Sequence, residues 1–221
     1  MGRRIIGGAF LSLDGVMQAP GGPEEDPTGG FPYGGWLATM FDEGLGNQVD
    51  SLFRQPFDLL LGRRTYDIFA AHWPAMADDG DIGSKFAEAR KYVLTRSDAP
   101  LSWAGSHRLD GIDAVAALKA EDGPDLVIQG SSTLYPQLLE AGLIDRLVTM
   151  TAPVVLGQGK RLFGEGTPAR MLKLIEHGLT AGGTAMATYE PSGEIETGSF
   201  AAPDPSPEEK ARRERIAAGT W

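Results

Sequence analysis

The chain contains no cysteine, only three histidines, and fewer basic than acidic residues, 20 against 30, for a formal charge of −10. Without cysteine there is no disulfide framework, no thiolate nucleophile and no cysteine-ligated zinc. His72, His107 and His177 fall in separate segments without metal-ligand spacing, so no metal site is expected. The acidic balance repels nucleic acid and anionic membrane, and it confines any phosphate site to a local basic pocket. No apolar run approaches the roughly 20 residues that cross a bilayer. Gly7, Gly8, Ser12 and Asp14 break the apolar stretch after Arg3 and Arg4 that a signal peptide would need. The expectation is a cytoplasmic protein whose partner is a small molecule, with neither nucleic acid nor membrane. Familiar catalytic and nucleotide signatures are also missing. There is no G-x-G-x-x-G, Gly157-Gln158-Gly159-Lys160-Arg161 lacks the spacing and hydroxyl of a P-loop, and no G-x-S-x-G surrounds Ser131 or Ser132.

What is present is a run of strands alternating with helices. At 221 residues and 42% hydrophobic content, one domain burying roughly 70% of its unfolded surface is the natural size class. Residues 4–13 read as a first strand, with Gly7-Gly8 marking close backbone approach, and Asp14-Gly15 turns it. Residues 18–35, rich in Gly and Pro with an acidic Glu24-Glu25-Asp26 patch, are too long for a plain connection and read as a lid or site wall. Helix-like spacing follows over 36–53, then a strand over 58–61, a short helix over 65–71 stopped by Trp73-Pro74, and a polar stretch over 78–84. A helix over 85–90, a strand over 91–95, a helix over 112–120, a strand over 125–129 and a helix over 134–141 ended by Gly142 come next. Strand patterns over 147–156, with Pro153 at an edge or bulge, and over 183–189 complete the series. This alternation predicts an α/β fold with a mostly parallel central sheet flanked by helices. Residues 1–191 form the expected domain. Residues 192–221 form a Gly/Pro-rich tail with a charged helix that starts at Ser206-Pro207-Glu208-Glu209 and runs to 218.

Three apolar runs end in basic or hydroxyl chemistry. Leu59-Leu60-Leu61 stops at Gly62-Arg63-Arg64-Thr65, Tyr92-Val93-Leu94 at Thr95-Arg96-Ser97, and Leu126-Val127-Ile128 at Gln129-Gly130-Ser131-Ser132. In a parallel sheet these ends share one edge, where helix N-termini, arginine forks and small residues hold phosphate. Arg63 and Arg96 flanking one pocket would select an additional phosphate, and hence NADPH over NADH. Asp42, Glu43 and Asp50 lie beside the expected cleft as proton shuttles or as solvated helix charges.

These segments, with Ser12-Leu13-Asp14-Gly15-Val16, Leu61-Gly62-Arg63-Arg64-Thr65-Tyr66 and Pro153-Val154-Val155-Leu156-Gly157, make residues 4–191 resemble the dihydrofolate-reductase-like superfamily. The closer resemblance is to the reductase domain at the C-terminal end of bifunctional riboflavin-biosynthesis (RibD) proteins. That resemblance implies a dihydrofolate-reductase-like sheet with NADPH across its strand ends. Ala9, Phe10, Val16 and Met17 would border the nicotinamide, and Gly62, Arg63, Arg64 and Thr65 would hold the pyrophosphate and 2′-phosphate side. Leu94, Thr95, Arg96 and Ser97 would flank the adenosine, with Gln129, Gly130, Ser131, Ser132 and Leu134 on the diphosphate. Trp36, Lys160 and Arg161 are the implied substrate contacts, and a homodimer is the implied assembly. Dihydrofolate reductases carry a carboxylate where this chain has Gly46, leaving Asp14, Asp42 and Asp50 as catalytic candidates. The implied activity is NADPH-dependent reduction of a small heterocyclic or carbonyl substrate, led by 5-amino-6-(5-phosphoribosylamino)uracil. Folate-type reduction and a non-catalytic NADP(H) sensor are the alternatives.

Overall fold

The computed structural model describes residues 2–77, 81–201 and 203–221; residues 78–80 of the polar stretch, Met1 and residue 202 of the tail lie outside them. In chain order the elements are β1 (Ile5–Leu11), α1 (Glu43–Leu52), β2 (Phe57–Gly62), α2 (Arg63–His72), α3 (Asp81–Glu88), β3 (Lys91–Leu94) and β4 (Ser106–Leu109). They continue with α4 (Ile112–Ala120), β5 (Asp125–Gln129), α5 (Leu134–Glu140), β6 (Arg146–Thr151), β7 (Leu172–Leu179), β8 (Ala185–Pro191) and α6 (Pro207–Ala217). The strands form one sheet in the order β4-β3-β2-β5-β1-β6-β8-β7. The first six in that order are parallel, and β8 and β7 close the sheet antiparallel.

Strand alternation sends neighbouring residues to opposite faces. Leu60, Leu126 and Ile128 join Tyr135, Leu138 and Val115 on one face, while Leu59, Leu61 and Val127 join Phe53, Tyr66 and Phe86 on the other. The two glycines of β1 let helices approach from both sides. A Cβ on Gly7 would sit 2.6 Å from Tyr135 Cε1, and one on Gly8 2.8 Å from Leu52 Cδ1. Tyr135 is fully buried; its hydroxyl donates to Gly8 O at 3.3 Å, and burial pushes its pKa up.

Two buried cations pin the sheet. Arg3 pairs with Asp58, both nearly solvent-free, and donates to Pro124 O at 2.6 Å, while Asp58 also accepts from the Arg90 N–H at 2.9 Å. Lys91 donates to Ala87 O and Ala104 O at 2.9 and 3.2 Å and lies 4.2 Å from the Trp103 ring centre. Burial lowers its pKa to about 8.

Several elements differ from the sequence pattern for local reasons. The 36–53 helix starts only at Glu43, because the Asp42 side chain caps it by accepting from the Leu45 N–H at 2.9 Å, and a separate turn occupies Ala38–Met40. The 65–71 helix starts earlier, at Arg63, and the strand expected over 147–156 ends at Thr151, two residues before Pro153. The strands β4 and β7 carry no apolar alternation because both are sheet edges with mostly exposed residues. In the tail, α6 is capped by Ser206 and buries no residue. Among the described residues no helix is long and apolar enough to cross a membrane, and no cluster of His, Asp or Glu is arranged to hold a metal.

Candidate functional site

Parallel order places the carboxyl ends of β1, β2 and β5 on one edge, and a cleft of about 750 Å³ opens there. From the strand ends it is lined by Phe10, Gly62 and the 129–133 turn, and from the loop after β1 by residues 17–22, Glu25 and Asp26. Leu37, Ala38, Phe41 and Lys160 add to the lining, and a further wall is α2 with Trp73 at its C-terminal end. Arg64, Thr65, Ile68, Phe69, His72 and Trp73 face the cleft, a spacing of one helical stripe. Of the residues expected from the sequence, Phe10, Met17, Gly62, Arg64, Thr65, Gln129, Gly130, Ser131, Ser132 and Lys160 come together here.

Two hydroxyls expected at phosphate instead latch the loops to each other. Ser131 Oγ accepts from the Gly62 N–H at 2.9 Å, and Thr65 Oγ1 accepts from the Ser131 N–H at 2.9 Å. Ser131 holds a left-handed φ of 57° after Gly130 at 76°. The turn is tight, since a Cβ on Gly130 would approach Thr65 Cγ2 to 3.1 Å. Gln129 Oε1 is buried with no hydrogen-bond partner. Arg64 is exposed and carries no ion pair or hydrogen bond among the described residues.

The other expected residues stand outside the cleft lining, each with a physical reason. Ala9, Val16 and Leu134 are packed inside, at 0, 0 and 2% exposure. Arg63 is spent on Asp67 and on Ala99 O, both at 2.9 Å. Beyond β2, Leu94 packs on the core, Thr95 and Ser97 hydroxyls accept from the N–H groups of Ser97 and Ala99, and Arg96 is exposed. Trp36 is buried and donates its Nε1–H to Gln18 O at 2.9 Å. Arg161 pairs with Asp14 and donates to Gly157 O.

The three carboxylates considered for catalysis are likewise elsewhere. Asp14 accepts from the Ser12 hydroxyl at 2.7 Å and from the Leu156 and Gly157 N–H groups, which hold its pKa well below the ordinary carboxylate range. Asp42 caps α1 and accepts from the Gly182 N–H, which lowers its pKa, and Asp50 lies exposed on α1.

Leu37, Ala38, Phe41, Ile68, Phe69, His72, Trp73 and Thr133 line the cleft without being picked out as site residues in the sequence, whereas Glu25 falls in the 18–35 segment read there as a lid or site wall. For those on α2 a signal existed, since positions 64, 65, 68, 69, 72 and 73 form a stripe once the helix is begun at Arg63. Burial raises the pKa of Glu25, against the N–H groups of Gly21 and Gly22 and the nearby His72, which lower it. Asp26 is buried too, yet hydrogen bonds from Lys160 and Thr28 bring its pKa below the ordinary value.

The 18–35 loop is a fastened wall. Gln18, 5% exposed, donates to Asp26 O and Thr28 O at 2.9 Å and accepts from the Lys160 N–H at 3.0 Å, while Lys160 Nζ pairs with Asp26. Gly159, at φ 125°, leaves no room for a side chain, as a Cβ would lie 2.6 Å from Val16 Cγ1.

Known proteins are similar to this chain in sequence or in fold. YyaP of Bacillus subtilis (strain 168), an uncharacterized protein, is 27% identical over 199 residues, or 86% of this chain and 96% of that one. A putative riboflavin biosynthesis protein from Shewanella sp. PV-4 superposes with a TM-score of 0.58 at 22% identity, covering 87% of this chain and 99% of that one. Dihydrofolate reductase from Enterococcus faecalis, complexed with NADP(H) and RAB-propyl, superposes with a TM-score of 0.52 at 16% identity over 85% of this chain and 96% of that one. The fold is thus dihydrofolate-reductase-like. The family model of the RibD C-terminal domain matches residues 3–188, and the chain belongs to that family.

Proposed function

We propose that this chain is an NADPH-dependent reductase of a small heterocyclic or carbonyl substrate, with the dinucleotide lying across the ends of β1, β2 and β5. The observation that carries the reading is the convergence of Phe10, Gly62, Arg64, Thr65 and the 129–133 turn on one cleft. Family membership and a structural relative complexed with NADP(H) support it.

Features of the cleft fit such a group. No side chain caps the N-terminus of α2, so its first-turn N–H groups face outward for an anion. Arg64 supplies an uncommitted guanidinium beside them, and Gly130 lets the backbone come close. The orphaned Gln129 Oε1 costs about 1–3 kcal/mol while it lacks a donor, and a carboxamide would supply one.

When bound, reduced nicotinamide supplies a hydride. The protein's part is placement. Phe10 and Met17 give an apolar wall that excludes water from the reacting carbon, while the Thr65–Ser131 latch holds two phosphate-facing segments in fixed register. The test is equilibrium titration with NADPH and NADH, then NADPH oxidation with 5-amino-6-(5-phosphoribosylamino)uracil, dihydrofolate and simple aldehydes. Saturable binding that favours NADPH, with turnover of one of these, is expected. Binding without turnover of any would support the sensor reading, and absence of saturable binding would reject a dinucleotide site.

A further inference from the structure

The cleft has two chemically distinct ends, separated along α2 by about 12 Å between Arg64 and His72 at 1.5 Å per residue. Arg64 marks the cationic end, and Glu25, His72 and Trp73 mark the other, where the Gly21 and Gly22 N–H groups face Glu25. At this second end no lysine or arginine is left over among the described residues, and the basic group present is His72, whose charge lowers the Glu25 pKa. Lys160 is bound to Asp26 and Thr28, and Arg161 lies outside with Asp14. Glu25 Oε2 accepts from the Gly21 N–H at 2.7 Å, and among the described residues neither lysine nor arginine pairs with the carboxyl.

We propose that Glu25 sets the substrate class: the group entering this end is neutral or cationic and donates an N–H or O–H to Glu25, and the phosphate of any phosphate-ester substrate is excluded from this end. The inference rests on the proposed dinucleotide site only in assigning the Arg64 end to the cofactor. An anion placed here faces the Glu25 charge within largely apolar walls, where repulsion is weakly screened. Recruiting Lys160 to neutralise it would strip Asp26, whose side chain is only 8% exposed, of its partner. A neutral or cationic donor meets neither obstacle. Burial already raises the Glu25 pKa, which marks a carboxyl poorly served by water and favoured by an incoming donor.

Calorimetric titration of Arg64→Met, which removes the guanidinium at the other end, with three ring probes of one size tests this: benzamidine as cation, benzamide as neutral donor and phenyl phosphate as anion, each with and without saturating NADPH. Benzamidine is expected to bind at least tenfold more tightly than phenyl phosphate, and Glu25→Gln, which keeps an acceptor for Gly21, to bring the two within threefold. Phenyl phosphate binding as tightly as benzamidine to Arg64→Met with Glu25 intact, absence of saturable benzamidine binding, or an unchanged ratio when Glu25→Gln is added would each overturn the proposal. A parallel NADPH titration of the unaltered protein separates the two claims. Probe discrimination without NADPH binding rejects the reductase reading and keeps the role of Glu25, while NADPH binding with reversed discrimination does the opposite.

Discussion

Replacing Arg64 with methionine separates cofactor binding from folding. Its side chain lines the cleft at the second residue of α2 without a partner, so its removal costs the apoprotein no contact. A cation at a helix N-terminus also opposes the macrodipole by about 0.3–1 kcal/mol, so Arg64→Met should unfold at the same temperature as the parent or slightly above. Its loss in the NADPH complex is that of a hydrogen bond to a charged group, about 1.5–3 kcal/mol, which at 1.4 kcal/mol per decade weakens binding about 10- to 150-fold. The neighbour Arg63 gives the control. Its guanidinium is committed to Asp67 and Ala99 O, an exposed pair worth about 0.2–1 kcal/mol, so Arg63→Met should shift NADPH affinity less than about threefold. Fluorescence titration at fixed, low ionic strength, beside thermal denaturation of each variant, measures both. A tenfold loss in Arg63→Met with parental affinity in Arg64→Met would refute the assignment of the two side chains.

Further outcomes follow from packing and charge. Gly130→Ala puts a side chain at φ 76° and 3.1 Å from Thr65 Cγ2; urea denaturation should show a loss of about 1–2 kcal/mol. Asp58→Ala strands the buried Arg3 charge and should cost about 3–5 kcal/mol, read as a fall in melting temperature of about 2–4 °C per kcal/mol. Lys91 titrates near pH 8 when folded against an ordinary value of 10.5, so the unfolded chain holds its proton to higher pH. Its contribution to stability is therefore fully present above about pH 10.5 and is lost as pH falls through about 8. Denaturation at pH 7 and pH 9.5 should show the parent gaining about 1–3 kcal/mol relative to Lys91→Met.

Much of the sheet is legible in the sequence because its central strands bury both faces. Leu59-Leu60-Leu61 and Leu126-Val127-Ile128 are solvent-free and correspondingly apolar, whereas Ser106-His107-Arg108-Leu109 is held by strand pairing at an edge and carries no apolar signature. The cleft is legible to the same depth. Strand ends fall on one edge by topology alone, which brings in Gly62 and Gln129. Which arginine faces inward depends on helix phase, however, and beginning α2 at Thr65 instead of Arg63 discards the 100° rotation that separates the two side chains. Glu25 is legible only as part of the 18–35 wall and not as an individual site residue, since the path of an irregular loop is set by contacts such as Gln18 with Asp26, 8 positions apart, and has no period to read.

The fastening of Gln18 and Lys160 to the loop bears on kinetics. Segments that fold over a ligand surrender chain entropy on arrival and make association wait on a rearrangement. Here that organisation is complete beforehand, so encounter should be a one-step bimolecular event, linear in ligand concentration in stopped-flow traces. Amide protons around Gln18 should then exchange with deuterium as slowly in the free protein as in the complex.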